Sequence, residues 1–301
     1  DLEGCPKVEY TSADAFVQKL EAAAPTLPVY DGELYLELHR GTLTAKQQIK
    51  KNNRMAENLL RMLELCLTRS AVTARTPADG TALRPLWNTL LVNQFHDILP
   101  GSCIAAANDR SLHDMAEMLH TGSELLRSWF APAQNCYTVL NPLDEPCRDV
   151  FYLPQIASGF IAQEPGVTLQ NVVLADGTAA TAVYGLERPA LGAAVLHFVP
   201  GEQPAQTSRF VYDGKTLTTP LLQVQLDELG RITSLVTRAD GMQWADGPMN
   251  TLLMAEDVSA GWDGWDIDAD CMMKLQPAAR LTKQTVTADG PQEFRLHSRY
   301  E

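Results

Sequence analysis

A histidine and an aspartate stand side by side where a helical pattern of apolar residues stops. They are His96 and Asp97, within the run NQFHDILPGS at residues 93–102. A neutral imidazole is the commonest protein ligand for a transition metal, and an adjacent carboxylate can orient it or bind a polar substrate. The pair therefore makes His96 the first candidate metal ligand and Asp97 the first candidate substrate contact.

These two side chains cannot complete a metal site by themselves. Zinc takes about four ligands, and a catalytic zinc takes about three of them from protein. Either the other ligands lie elsewhere in the fold or this chain lacks them. A lone histidine at a helix end is more often a surface or capping residue, so position alone leaves the plainer interpretation open.

The other candidate groups each have a plain structural alternative. His113 and His120 lie seven residues apart, two helical turns rather than the single turn that separates paired metal ligands, which favours a solvated polar face. The acidic run at residues 263–270 lacks the glycine and the closing glutamate of a calcium loop. Trp262 and Trp265 could stack on a sugar ring, or could pack at a sheet edge. None of these groups selects a function without further information.

Composition limits the class of protein. With 301 residues, 45% of them apolar, the chain can bury a large core and is long enough for two domains. A formal charge of -13 argues against nucleic acid as a partner. No apolar run approaches the ~18 residues that span a bilayer, and no signal peptide is evident, so we expect a cytoplasmic protein with no membrane contact. Six singly spaced cysteines favour reduced, buried thiols.

A change of periodicity near residue 132 divides the chain into a helical part and a β part. Residues 6–10 predict a short strand, and Ser12 is placed to cap a helix that ends before Pro25. Three further helices are predicted: one from Thr44, where Gln47 would complete a capping box, one from residue 83 to Pro100, and one over residues 105–130. We expect these three helices to form an antiparallel bundle.

Beyond residue 132, apolar and polar residues alternate between Asp-Gly turns. This pattern predicts short antiparallel strands packed as a sandwich, most clearly at residues 222–226 and 232–236. Residues 200–207, rich in Gly, Pro and polar side chains, predict a linker between two β units. The expected fold class is therefore α+β, with helices first and antiparallel β structure after them.

Five strings carry more information than their spacing. They are GELYLELHRGT at residues 32–42 with KKNNR at 50–54, LW at 86–87 running to NQFHDILPGS, VLNP at 139–142 with RDV at 148–150, LGRITSL at 229–235, and WDGWDID at 262–268. These strings resemble signatures of the family 38 glycoside hydrolases, the retaining α-mannosidases, and favour their bacterial and cytosolic-type branch. They occur in the family's order and cover most of residues 6–275.

The resemblance implies a domain for each part of the chain. Residues 1–30 would be a strand-helix remnant of an amino-terminal α/β catalytic domain, and residues 31–131 the helical middle domain. Residues 132–204 would be a small β domain, and residues 205–301 the beginning of a large β-sandwich. The chain would thus be a central fragment of the parent enzyme.

The resemblance also implies chemistry. In this family two histidines and two aspartates hold a zinc ion that binds vicinal hydroxyls of mannose. The histidine of the FHD-type string is one of these ligands, and His96 matches it. Asp97 would hydrogen-bond the ligand shell or the sugar. The family's nucleophile and general acid belong to the amino-terminal domain, and its His-x-Asp string is not found in this sequence. Hence no catalytic residue is assigned to this chain.

Several functional interpretations remain. The parent would hydrolyse α-mannosidic bonds of glycans or oligosaccharides, while the isolated chain would be inactive, because a retaining glycosidase needs two carboxyl groups ~5 to 5.5 Å apart. Alternatively, the β part is a non-catalytic carbohydrate-binding or assembly module, or the whole chain is a scaffold. Arg40 and Trp87 either approach the sugar or form an ion pair and a core contact. The number of subunits is not set, and a homo-oligomer is one outcome.

Overall fold

The computed structural model describes residues 3–32, 38–130, 133–203, 207–277 and 280–301. The chain divides into two compact units, Asp1–Glu37 and Leu38–Glu301. The first unit contains helix α1 (Ala13–Ala23) and a following 3₁₀ turn. The Ser12 hydroxyl accepts a hydrogen bond from the Ala15 amide at 3.3 Å, which confirms the predicted cap. The strand expected at residues 6–10 was wrong, because no partner strand pairs with it in the described part of this unit.

The second unit begins with three helices that share one core. They are α2 (Gln47–Ala74), α3 (Arg84–Asn93) and α4 (Ala105–Ser128). Eight buried side chains form the core between them: Ala56, Leu60, Leu63, Leu83, Leu86, Leu90, Met115 and Met118. Trp87 bonds Glu64 while Gln94 bonds Asn53, so α2 and α3 run antiparallel. Leu63, Leu86, Leu90 and Met115 thus lie in the shared core, as their helical spacing predicts.

Two predicted helix ends differ from the structure. The residue that precedes α2 is Lys46, with a φ of 49° and no capping side chain, so the Thr44–Gln47 capping box was wrong. Helix α3 ends at Asn93 rather than at Pro100, and residues 94–100 form turns. Within these turns the Ile98 and Leu99 amides both donate to the Phe95 carbonyl. His96 therefore lies on a turn that follows the helix.

The first group of strands forms two antiparallel sheets. It comprises β1 (Cys136–Asn141), β2 (Phe151–Pro154), β3 (Phe160–Ala162), β4 (Thr168–Val173), β5 (Ala179–Tyr184) and β6 (Gly192–Pro200). One sheet has the order β1-β6-β3 and the other β2-β5-β4. Leu169 and Val183 of the second sheet share a buried cluster with Leu196 and Phe198 of the first. The two sheets are thus held together by one apolar core.

The second group of strands follows residue 207. It comprises β7 (Val211–Tyr212), β8 (Thr216–Thr218), β9 (Leu222–Leu226), β10 (Ile232–Thr237), β11 (Leu253–Met254), the short helix α5 (Cys271–Lys274), β12 (Gln276–Pro277), β13 (Leu281–Asp289) and β14 (Phe294–Tyr300). The sheet orders are β10-β9-β8-β7, β11-β12 and β13-β14. The predicted pairing of residues 222–226 with 232–236 is confirmed.

The mixture of helices and antiparallel sheets confirms the α+β class. The two groups of strands lie on either side of the predicted linker, of which residues 204–206 are outside the described residues. The sandwich, the bundle and the domain boundaries stay predictions. The thiols differ from expectation, because Cys5 is exposed and the other cysteines are half-buried. Among the described residues, no helix is both long and apolar enough to cross a bilayer.

Candidate functional site

The turn that follows α3 presents His96 to solvent. The His96 side chain is 72% exposed, and its Nε2 atom lies 3.5 Å from Oδ2 of Asp97. On its other side the imidazole contacts the Phe95 ring, with the ring centroids 4.4 Å apart. Asp97 in turn receives a long hydrogen bond, 3.4 Å, from the Ser102 hydroxyl. The imidazole is therefore reachable from outside and is flanked by one carboxylate.

Helix α2 contacts the beginning of this turn through two polar side chains. The Gln94 amide nitrogen donates to Oδ1 of Asn53 at 3.1 Å and to Oε1 of Glu57 at 3.2 Å. The Asn53 amide also donates to the same Glu57 oxygen at 3.0 Å. Residues 53 and 57 lie on one face of the helix, four positions apart. Gln94, which begins the His96 turn, is therefore held by hydrogen bonds to Asn53 and Glu57, and these two side chains also bond each other.

The end of the same turn is held by Lys50. Its ammonium nitrogen donates to the carbonyls of Ala45 at 2.5 Å, Leu99 at 3.1 Å and Pro100 at 3.0 Å. Burial lowers the pKa of Lys50 from its ordinary value. Gly101 approaches this point so closely that a Cβ there would lie 2.8 Å from the Ala45 carbonyl oxygen. The turn is thus packed directly against the segment that precedes α2.

Segments distant in sequence meet beside this turn. The Arg40 Nε atom lies 3.0 Å from Oδ1 of Asp266, and the Gly41 amide donates to the Trp265 carbonyl at 2.9 Å. The His39 ring packs edge-on against Trp265, with the ring centroids 5.1 Å apart. The hydrogen bond from Arg40 lowers the pKa of Asp266 below its usual value. Parts of the first and last strings that carry the family resemblance are therefore in contact, while residues 33–37 of the first lie outside the described residues.

A polar cavity of about 540 Å³ lies where these segments converge. Residues 41, 44–46, 101–103, 263, 264, 266 and 267 line it, together with Asp257. Gly264 packs over Ser102, since a Cβ at Gly264 would lie 3.5 Å from the Ser102 Cα. Ser102 therefore connects the cavity to Asp97. Sequence reasoning did not single out Ser102 or Lys50, although both belong to the quoted strings.

The other residues that were singled out in the sequence make different kinds of contact. Trp87 packs against the helical core and donates its indole N–H to Glu64 at 2.9 Å. Arg40 forms the ion pair described above. Trp265 contacts His39, whereas Trp262 is 67% exposed and has a positive φ of 59°. Trp87 thus makes a core contact and Arg40 forms an ion pair, whereas Trp262 is accessible to a ligand.

Another group of potential metal ligands lies on α4. Ligand atoms of His113, Asp114 and Glu117 are within 4.8 Å of one another. Asp114 already accepts from Arg110, and His113 lies 3.4 Å from Glu117 across one helical turn. His113 and Glu117 are exposed, which favours a solvated, ion-paired helix face. The sequence signal was the i, i+1, i+4 spacing of these three residues.

The donor chemistry of His96 suits zinc as one ligand of several. An imidazole nitrogen is a preferred zinc ligand, and this imidazole is exposed enough for an ion to reach it. Within the described residues, however, no cluster of three or more potential ligands includes His96. If zinc binds here, its other ligands must come from outside that part of the chain.

Comparison with known proteins agrees with the strings on which the resemblance depends. Residues 37–131 match the family model of the alpha mannosidase middle domain. Human alpha-mannosidase 2C1 is 32% identical over 282 residues, which cover 89% of this chain and 25% of that protein. The chain thus spans about a quarter of the length of this curated relative.

Two solved structures share the fold. A glycosyl hydrolase family 38 protein from Enterococcus faecalis has a TM-score of 0.54 and 14% identity, and the match covers 92% of this chain and 38% of that chain. An alpha-mannosidase from Enterococcus faecalis V583 has a TM-score of 0.58 and 13% identity, covering 95% of this chain and 39% of that chain. These two structures show the fold alone. The match of residues 37–131 to the alpha mannosidase middle domain, and the likeness of most of the chain to curated alpha-mannosidases, show that this chain is similar to a part of an alpha-mannosidase.

Proposed function

We propose that this chain is part of a zinc-dependent retaining α-mannosidase and contributes one metal ligand to the active site. The single observation that carries the proposal is the exposed His96 imidazole on a turn held at both ends by α2. The parent protein would act on mannose-containing glycans or oligosaccharides. Residues 31–131 would form its middle domain, an antiparallel three-helix bundle, and the β regions at 132–204 and 205–301 would be sandwich domains that support it. Its cytoplasmic location stays a prediction.

The roles of this chain's own residues follow from their chemistry. His96 would offer a ring nitrogen to the metal, which when bound would hold hydroxyls of the sugar and polarise them. Asp97 would accept hydrogen bonds from those hydroxyls, and the Ser102 hydroxyl would help to orient Asp97. We place the nucleophile and the general acid in a separate catalytic domain. On that basis the isolated chain would not hydrolyse a mannoside.

The first test uses the parent protein and a matched pair of histidines. His96→Ala should weaken zinc binding and lower hydrolysis of an aryl α-mannoside by at least about 10- to 100-fold, because the loss of a group that merely orients a ligand already costs that much. His113→Ala should leave both unchanged, since it removes an exposed histidine of the same chain. Equal metal content and activity in His96→Ala and the parent would contradict the proposed role of His96.

The second test concerns the isolated chain. With zinc added, it should release no product from an aryl α-mannoside, because no nucleophile is assigned to it. Appreciable turnover by the purified chain would show that the nucleophile is present after all. A parallel assay of the parent protein in the same buffer is the positive control.

A second candidate function is a carbohydrate-binding or assembly module, which the exposure of Trp262 favours. Such a module should bind oligomannosides without a metal, and Trp262→Ala should abolish that binding. Trp265→Phe is the control, because the Trp265 ring packs against His39 and is half-buried. Oligomannoside binding that survives chelation and depends on Trp262 would favour the module over the metal site.

A further inference from the structure

Three side chains on one face of α2 contact the turn that carries His96. Lys50, Asn53 and Glu57 are spaced three and four residues apart, so their side chains lie along one stripe of the helix. Lys50 and Asn53 belong to the string KKNNR at residues 50–54. Neither the helical fold nor the proposed roles of His96 and Asp97 explain why these polar residues occur in this string. The contacts of these side chains provide an explanation.

Lys50 uses its whole donor capacity on backbone carbonyls. An ammonium group has three protons and no acceptor. The three acceptors of Lys50 are Ala45, before the helix, and Leu99 and Pro100, at the end of the His96 turn. Lys50 therefore joins the end of the turn to the start of α2 through one atom.

The charge of Lys50 is unfavourable for the helix that carries it. Lys50 is the fourth residue of α2, and the partial positive charge at a helix N-terminus disfavours a cation there. Partial burial also disfavours the charged form. A lysine at this point is therefore better explained by what it does for the turn than by a gain in helix stability.

Asn53 acts at the opposite end of the same turn. Its side-chain oxygen accepts from Gln94, and its amide donates to Glu57, which also accepts from Gln94. Between the two held ends, the backbone closes on itself through bonds from Ile98 and Leu99 to Phe95 and from Gly101 to Ile98. The turn is thus fixed to α2 at its beginning and at its end.

We propose that Lys50 and Asn53 are positioning residues that hold the His96 turn against α2 and so preset the orientation of the His96 imidazole toward a metal. This inference rests on the proposed function of His96 as a zinc ligand. Groups that orient a ligand commonly change metal affinity by about 10- to 100-fold when they are removed. Binding is favoured because the ligand is ordered before the metal arrives.

The test uses the full-length parent protein with Lys50→Met, Asn53→Ala and the control Lys51→Met. Lys51 is the exposed neighbour, so its replacement makes the same change of charge without touching the turn. Zinc affinity is measured by competition with a chelator. Backbone hydrogen exchange over residues 94–102 is measured on the metal-free protein.

Lys50→Met should weaken zinc binding by about 10- to 100-fold and accelerate exchange over residues 94–102, while saturating zinc restores most of the activity. In a further variant, Lys50→Arg, zinc affinity and hydrogen exchange should lie between those of the parent and of Lys50→Met, because a guanidinium can reach some of the carbonyls with a different geometry. Asn53→Ala should also weaken zinc binding and accelerate exchange over residues 94–102. Lys51→Met should match the parent in every measurement.

Three results would overturn the inference, and they are distinguishable. If the parent needs zinc but Lys50→Met has the parent's zinc affinity and hydrogen exchange, the positioning role fails and the proposed function stands. If chelation leaves the parent's activity intact, the proposed metal role fails, and this inference fails with it. An activity loss in Lys50→Met that excess zinc does not reverse, with zinc affinity unchanged, also counts against it.

Discussion

The Arg40 side chain pairs with Asp266, 226 positions later in the chain, through an Nε to Oδ1 distance of 3.0 Å. The pair joins the segment before α2 to the loop that contains Trp262 and Trp265. Beside it, the Gly41 amide bonds the Trp265 carbonyl. This relationship brings the helical region and the β region together next to the His96 turn.

The Arg40–Asp266 pair should make stability depend on pH. The hydrogen bond from Arg40 lowers the pKa of Asp266 in the folded chain from its ordinary 3.8. A lowered carboxyl pKa contributes stability above the ordinary value, and this is lost as the pH falls through the folded-state pKa. Asp266→Asn should therefore be less stable than the parent chain near neutral pH, and urea unfolding should show the difference narrowing below pH 3.8. A difference that stays constant across this range would contradict the assignment.

Gly101 should not tolerate a side chain. Its φ is +86°, and a Cβ would lie 2.8 Å from the Ala45 carbonyl oxygen, which is fixed backbone. Gly101→Ala should lower the free energy of unfolding by about 1–3 kcal/mol, because a strained backbone conformation is combined with a steric clash. Gly80→Ala is the control, since nothing lies within 4 Å of a Cβ there and its φ is not positive. Equal urea midpoints for the two variants would show that the turn can move away from Ala45.

Adjacent leucines of α3 should differ strongly in their contribution to stability. Leu90 is 0% exposed within the helical core, whereas Leu91 is 58% exposed. Leu90→Ala should lower the free energy of unfolding by about 2–5 kcal/mol through lost burial and a residual cavity. Leu91→Ala should change it by no more than about 0.5 kcal/mol. Denaturant unfolding compares the two directly, and a similar loss in both would mean that the face of α3 toward Leu91 is also packed.

Tyr184 should be the origin of a stability loss at high pH. Burial, followed by the neighbouring Tyr152, raises the pKa of Tyr184 from 10.0 to about 12. A raised pKa contributes stability that is present below the ordinary value and is lost as the pH rises through the folded-state value. The urea midpoint of the parent chain should therefore fall between pH 10 and about 12, and Tyr184→Phe should remove part of that decline. The hydroxyl also bonds Glu293 at 2.7 Å, so the variant should start from a lower midpoint at neutral pH.

The sequence predicted the elements whose pattern is local. The spacing of apolar residues predicted α2, α3 and α4, because a helix repeats every 3.6 residues whatever surrounds it. The Ser12 cap and the β9–β10 pair were likewise visible as short-range patterns and are confirmed. The strings between residues 37 and 131 also indicated a resemblance to the α-mannosidases, and the match of these residues to the middle-domain family agrees with it.

Only the tertiary structure decided how the candidate site is held together. The start of α2 and the end of α3 were wrong in the sequence analysis, because Lys50 and Gly101 pack the His96 turn against Ala45. The contact of Arg40 with Asp266 was not predictable from either string separately. Such contacts depend on which segments meet after folding, and no local periodicity records that. The sequence alone thus predicted His96 as a candidate metal ligand. The exposure of His96, and the hydrogen bonds that hold both ends of its turn, follow from packing between distant parts of the chain.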